Sequence, residues 1–142
     1  TKYYYQGLEI DESLNIKRID IPLLHFNNAP SGHLWMVIYS DNNGMPGEVM
    51  AGSTFVSVST LPVEQSFQWS SFHFEENNGV YLPPGKYWIS LRYDSEDIVL
   101  WNGIFGNSFQ NLWDTFVIHQ GHFDYDNIVH LDLGFRIYGN KF

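Results

Sequence analysis

Apolar and polar residues alternate with a period of two along nearly the whole chain, and no window carries the stripe of an amphipathic helix. Successive residues of an extended strand point to opposite faces. A chain patterned this way therefore buries its apolar side chains by laying one sheet against another. Leu34, Met36 and Ile38 point one way, and Trp35, Val37 and Tyr39 the other, which predicts a central strand covered on both faces. Phe72 and Phe74 alternate with Ser71 and His73, in the register set by Gln68, Trp69 and Ser70. Tyr87, Ile89, Leu91 and Tyr93 alternate with Lys86, Trp88, Ser90 and Arg92. Val129, Leu131, Leu133, Phe135 and Ile137 alternate with His130, Asp132, Gly134, Arg136 and Tyr138, the most regular half-buried run in the chain.

Turn chemistry punctuates these runs. Asp41-Asn42-Asn43-Gly44, Pro46-Gly47, Asn77-Asn78-Gly79 and Pro83-Pro84-Gly85 place residues that tolerate positive φ, or that pre-set a turn, between apolar stretches. Strands are predicted at 3–10, 14–26, 33–40, 48–60, 67–75, 86–93, 97–101, 113–123 and 128–138. Many short strands without helices define an all-β fold, an antiparallel two-sheet sandwich of jelly-roll-like form; the pattern is also compatible with a barrel. No repeat or linker divides residues 1–142, a length suited to one domain with one core. The segment 102–112 reads as a long loop rich in Asn and Gly that nevertheless carries Ile104, Phe105 and Phe109.

Composition narrows the partners. The chain has 16 acidic and 7 basic residues, a net charge of -9, and only Lys17 and Arg18 stand side by side. A nucleic-acid partner needs a basic face to displace counterions, so none is expected. No apolar stretch is long enough to span a bilayer, so membrane insertion is not expected either. Cysteine is absent, which removes disulfides, thiolate metal sites and a thiol nucleophile. The chain begins at Thr1, as expected of a processed protein or of a module within a longer one. Aromatic residues make up 18%, more than a core of this size needs, so some are expected to reach the surface, where they either brace strands or stack on a ligand.

Three stretches carry a resemblance. Ile38-Tyr39-Ser40-Asp41 leads through Gly44-Met45-Pro46-Gly47-Glu48-Val49-Met50-Ala51; Leu82 to Leu91 holds a Leu-x-x-Gly-x-Tyr-Trp pattern; and the chain closes on Asp132-Leu133-Gly134-Phe135-Arg136-Ile137-Tyr138-Gly139. Together, over about residues 8 to 139, they resemble the β-sandwich, carbohydrate-binding-like modules of bacterial secreted and surface-anchored proteins. The resemblance implies an extracellular or cell-surface sandwich module and carries over no catalytic residue.

Read for chemistry, the residues place a ligand site around the predicted loop. Trp101 and Trp113 bracket it, with Tyr93 just upstream; such rings stack on the apolar faces of sugars. Asn102, Asn107, Gln110 and Arg92 would read the hydroxyls. The same two tryptophans would serve equally as core residues capping one end of the sandwich. Asp41, Asn43 and Glu48 offer hard oxygen ligands for a structural Ca²⁺, without the spacing of an EF-hand, and are equally suited to a solvated turn. Two further acidic groups, Asp94 with Glu96 and Asp97, and Asp124 with Asp126, read the same way. His119 and His122, with Asp124 close by, are three apart, so in an extended strand they point to opposite faces and converge on a metal only through a bulge or turn, for which Gly121 is suited; the expected reading is a polar-face pair without a ligand role. No nucleophile elbow, zinc-protease helix, phosphate loop or dinucleotide fingerprint is present. The expectation is a non-catalytic module binding a neutral glycan or polysaccharide. The alternative is a structural or adhesive subunit that meets other protomers through edge strands, with Tyr3-Tyr4-Tyr5 as the suggested edge.

Overall fold

The alternating runs become strands because β-branched and aromatic residues fit a pleated, half-buried surface. A computed structural model describes residues 2–25, 31–61, 68–74, 79–94, 99–101, 103–105, 112–119, 125–129, 131–133 and 135–141, with the backbone course alone at 2–4, 25, 141 and in the strands between 99 and 133. The strands are β1 (Lys2–Ile10), β2 (Leu14–His25), β3 (His33–Asn42), β4 (Met45–Gly52), β5 (Val56–Ser57), β6 (Gln68–His73) and β7 (Val80–Leu82). They continue with β8 (Gly85–Tyr93), β9 (Val99–Trp101), β10 (Gly103–Phe105), β11 (Leu112–His119), β12 (Tyr125–Val129), β13 (Leu131–Leu133) and β14 (Arg136–Lys141). The only helical element among the described residues is a single 3₁₀ turn, Val58–Thr60, and no helix there is long and apolar enough to cross a membrane.

The protein is an antiparallel two-sheet sandwich. The larger sheet runs β12-β11-β1-β8-β3-β4, with β5 also paired to β3. The smaller sheet is built on β2, which lies between β14 and β6. Leu14 pairs with both Lys141 and Leu82, and Leu23 with both Gln68 and Trp101, so β7 extends the β6 side of β2 and β9 the β14 side. A two-stranded ribbon, β10 with β13, stands beside β11. Between the two main sheets Ile16, Ile19, Ile21 and Leu23 of β2 and Phe72 of β6 meet Leu34, Met36 and Ile38 of β3 and Ile89 and Leu91 of β8. Each such side chain contributes about 1.5–3 kcal/mol by leaving water.

The turn joining β3 to β4 is the hairpin its sequence predicts. Asn43 (φ 53) and Gly44 (φ 85) both occupy the left-handed region, and the Gly44 amide donates to Asp41 Oδ2 at 3.3 Å.

Four expectations need correction. The predicted strand 48–60 is broken after Gly52, where the backbone bridges the two sheets, and resumes in the larger sheet only as the two-residue β5. Ser53 N still donates to Met36 O at 2.8 Å, but Thr54 N donates to His73 O of β6 at 2.9 Å. The predicted strand 128–138 is three strands: β12 pairs in the larger sheet, β13 with β10, and β14 in the smaller sheet. Alternation records which residues face inward, and it continues unchanged when a chain crosses between sheets. The predicted loop 102–112 contains the strand β10. Finally, Tyr3-Tyr4-Tyr5 is not an outer edge of the sheet: β1 lies between β11 and β8, Tyr3 and Tyr4 pair with β11, and Tyr5, where the β8 pairing begins, pairs with both Phe116 and Ser90.

One irregularity sets the outer face of the smaller sheet. Ile16 and Ile19 both point into the core although they are three residues apart. Strict alternation forbids that. The register between β14 and β2 slips between Tyr138 and Gly139, leaving Lys17 as the extra residue and restoring the phase. Beyond the slip, Arg18 and Asp20 face outward while Ile19 and Ile21 face in.

Candidate functional site

The two sheets differ in what their outer faces do with aromatic rings. On the larger sheet Tyr5, Val37, Tyr39 and Trp88 form a second buried cluster, with Trp35 packed against it. Trp88 is only 1% exposed, and its indole Nε1 donates to Asp41 Oδ1 at 2.9 Å. Arg92 lies on this face too. Its guanidinium donates to the hydroxyls of Tyr5 and Tyr39, the latter at 2.6 Å, and sits over both rings. Ser90, fully buried between these groups, has no hydrogen-bond partner for its Oγ among the described residues. This face is polar–aromatic but enclosed.

The outer face of the smaller sheet is open. Trp69 of β6 is 42% exposed, Tyr138 of β14 40% and Tyr81 of β7 54%. Cross-strand register orders the residues into rows: Trp69 opposite Pro22; Ser71, Asp20 and Arg136; His73, Arg18 and Tyr138. Successive rows lie two residues apart, about 6.5–7 Å. Arg136 reaches across β2 to place its guanidinium carbon 3.8 Å over the Trp69 ring, and Arg18 lies 3.9 Å over the ring of Tyr138. A cation over an aromatic face is held by the ring quadrupole, here on flat rings tied to rigid strands.

Asp20 sits between the two arginines. Its Oδ1 lies 3.0 Å from Arg18 Nε, yet neither atom makes an aligned hydrogen bond, so the contact is Coulombic attraction between a buried carboxylate and a half-buried guanidinium. At the far end of the sheet the hydroxyls of Ser13 and Tyr81 meet at 3.3 Å. The arrangement offers ring surface to an apolar ligand face, with guanidinium, carboxylate, hydroxyl and imidazole groups around it.

The residues predicted from sequence are not gathered into one place. Trp101 pairs with Leu23 in the smaller sheet and Trp113 with Gly7 in the larger, so the two backbones belong to different sheets; their side chains lie outside the described residues. Asn102, Asn107 and Gln110 also lie outside the described residues. Arg92 and Tyr93 are neighbours on β8 with opposite orientations: Arg92 faces outward to the tyrosine hydroxyls, and Tyr93 packs against the inter-sheet core. Asp41, Asn43 and Glu48 surround the β3–β4 turn, where Asp41 accepts from Trp88 and from the Gly44 amide, and the Glu48 amide donates to Ser40 Oγ at 2.9 Å. Among the described residues no three metal-ligating side chains converge.

Trp69, Tyr138, Arg18, Asp20 and Arg136 were not singled out by the sequence reading. Their signal was present: Trp69, Ser71 and His73 alternate against Phe72, and Arg136 and Tyr138 against Phe135 and Ile137. No family model, curated protein or solved structure matches the chain.

Proposed function

We propose that this domain is a non-catalytic glycan-binding module acting outside the cytoplasm, and that the outer face of the smaller sheet is its binding surface. One observation carries the reading: three aromatic side chains, Trp69, Tyr138 and Tyr81, stay open to solvent on a single sheet face that also carries Ser71, His73, Arg18, Asp20 and Arg136. Sugar rings have apolar C–H faces that stack on such rings, while hydrogen-bonding groups at the rim read the hydroxyls. Arg136 covers part of Trp69 and holds the ring in place, which reduces the entropy lost on binding.

A glycan array followed by calorimetry tests this. Trp69→Ala is expected to lower affinity at least tenfold, since a stacked ring contributes about 1.4 kcal/mol or more. Being half-exposed, it should leave the melting temperature within a few degrees of the parent's. Unchanged affinity in Trp69→Ala would remove this face from the reading.

A second reading, a structural or adhesive subunit, draws on the other exposed apolar groups. Val49 and Met50 on the edge strand β4 and Phe55 beside it are 64%, 41% and 68% exposed. An edge strand of this kind pairs with another strand. Concentration-dependent association in sedimentation, abolished by Val49→Lys, would favour assembly over glycan binding.

A further inference from the structure

The chain's positive charge is not spread evenly. The strands of the smaller sheet hold four of the seven basic residues, Lys17, Arg18, Arg136 and Lys141, against one acidic residue, Asp20, a formal +3 in a chain of net -9. Two of these cations, Arg18 and Arg136, lie on the same open face as the aromatic rings. Asp20 neutralises only one of them. Its carboxylate is close to Arg18, while Arg136 is exposed, stacks on Trp69, and forms no ion pair among the described residues.

From this geometry we infer that the ligand is an acidic glycan, a sugar bearing a carboxylate or sulfate, whose oxyanion is read by Arg136 with Arg18 beside it while its ring stacks on Trp69 or Tyr138. The inference rests on the glycan reading above and adds the charge of the ligand. A neutral polysaccharide offers a guanidinium only single hydroxyl hydrogen bonds and leaves its charge without a counter-ion. A guanidinium, by contrast, presents a planar fork of N–H donors that matches the paired oxygens of a carboxylate or sulfate. Stacking leaves this fork usable, because the donors lie in the guanidinium plane and the ring contacts its face. The surrounding negative charge of the chain strengthens the selection. Repulsion by the acidic residues outside this sheet favours contact of a polyanion with the one sheet whose strands carry a net positive charge.

The test is calorimetric titration of the intact chain with matched pairs: oligogalacturonate against its fully methyl-esterified form, and chondroitin sulfate against unsulfated chondroitin. An additional arm uses oligothymidylate, which also combines rings with anionic oxygens. The expected result is that at least one acidic member binds about tenfold or more tighter than its partner lacking that anion, as charge-assisted bonds predict. That preference is expected to weaken with added salt. Arg136→Gln should erase it by weakening the acidic member more than its partner, and Arg136→Lys should restore only part of it. The two pairs distinguish carboxylate from sulfate. If both members of each pair bind equally, or Arg136→Gln leaves the preference intact, the acidic inference is overturned and the glycan reading stands. If no glycan binds, both fall together. Tighter binding of oligothymidylate than of any glycan would also overturn it, making the face a nucleic-acid surface.

Discussion

Tyr87 illustrates how a single buried hydroxyl couples the fold to pH. Its ring faces the inter-sheet core and its Oη donates to Pro83 O at 2.6 Å, a bond that requires the phenolic proton. Burial, reinforced by the charge Tyr81 would carry, raises its pKa above the ordinary 10.0. Between that ordinary value and the raised one the unfolded chain has lost a proton that the folded chain keeps. Unfolding then releases a proton, and stability falls as pH rises. The contribution is fully present below pH 10 and is lost through the alkaline window above it. Urea melts from neutral pH to pH 11 should show this decline, and Tyr87→Phe should make it shallower. The same variant should lower neutral-pH stability by about 0.5–1.5 kcal/mol through loss of the Pro83 hydrogen bond. A decline of equal steepness in both proteins would show that Tyr87 is not its source.

Among the strands, β14 is held to β2 more closely than its edge position implies. A Cβ built on Gly139 would lie 2.0 Å from the Asn15 carbonyl oxygen, with backbone rather than a flexible side chain in the way. Gly139→Ala must therefore push β14 off β2, and with it Tyr138 and Arg136 off their positions on the open face of the smaller sheet. A loss of about 1–3 kcal/mol is expected, in the range of point changes that strain the backbone. The matching control is Gly52→Ala in β4, whose nearest neighbour is 4.0 Å away and whose stability should change by less than about 0.5 kcal/mol. Thermal melts of the two variants, compared with the parent, decide it.

These elements also show what the sequence makes legible. The two-faced burial of β3 follows from Leu34, Met36 and Ile38 on one side and Trp35, Val37 and Tyr39 on the other, and both clusters form. The division of 128–138 among three pairings does not follow, because Leu131 to Ile137 keep one alternation whichever sheet they join. β7 was missed because its three residues, between the Gly79 turn and Pro83-Pro84, are too few to show a period. The slip at Lys17 was written in the spacing of Ile16 and Ile19, three apart among apolar residues otherwise two apart.

At the scale of the whole molecule, the site depends on information no local pattern holds. Trp69 and Trp88 both stand in regular alternation, each on the face opposite the inter-sheet core. Trp88 is 1% exposed and Trp69 42%, because the outer face of the larger sheet is covered and that of the smaller sheet is not. Which sheet stays open is decided by how the strands assemble. Sequence reasoning accordingly recognised an excess of rings and sought it near Trp101 and Trp113, whose strands belong to different sheets. Charge shows the same layering. Only one of the 16 acidic residues falls in the strands of the smaller sheet, a bias that is visible once those strands are known to be neighbours.

Nuclear magnetic resonance mapping of backbone amides during titration with a glycan tests whether the outer face of the smaller sheet is where the ligand binds. The predicted result is that shifts concentrate in β6, β2 and β14 around Trp69, Ser71, Arg18, Asp20, Arg136 and Tyr138, while β1, β3 and β8 stay unperturbed. Shifts concentrated instead at residues 101–113, or along the β4 edge at Val49 and Met50, would contradict it.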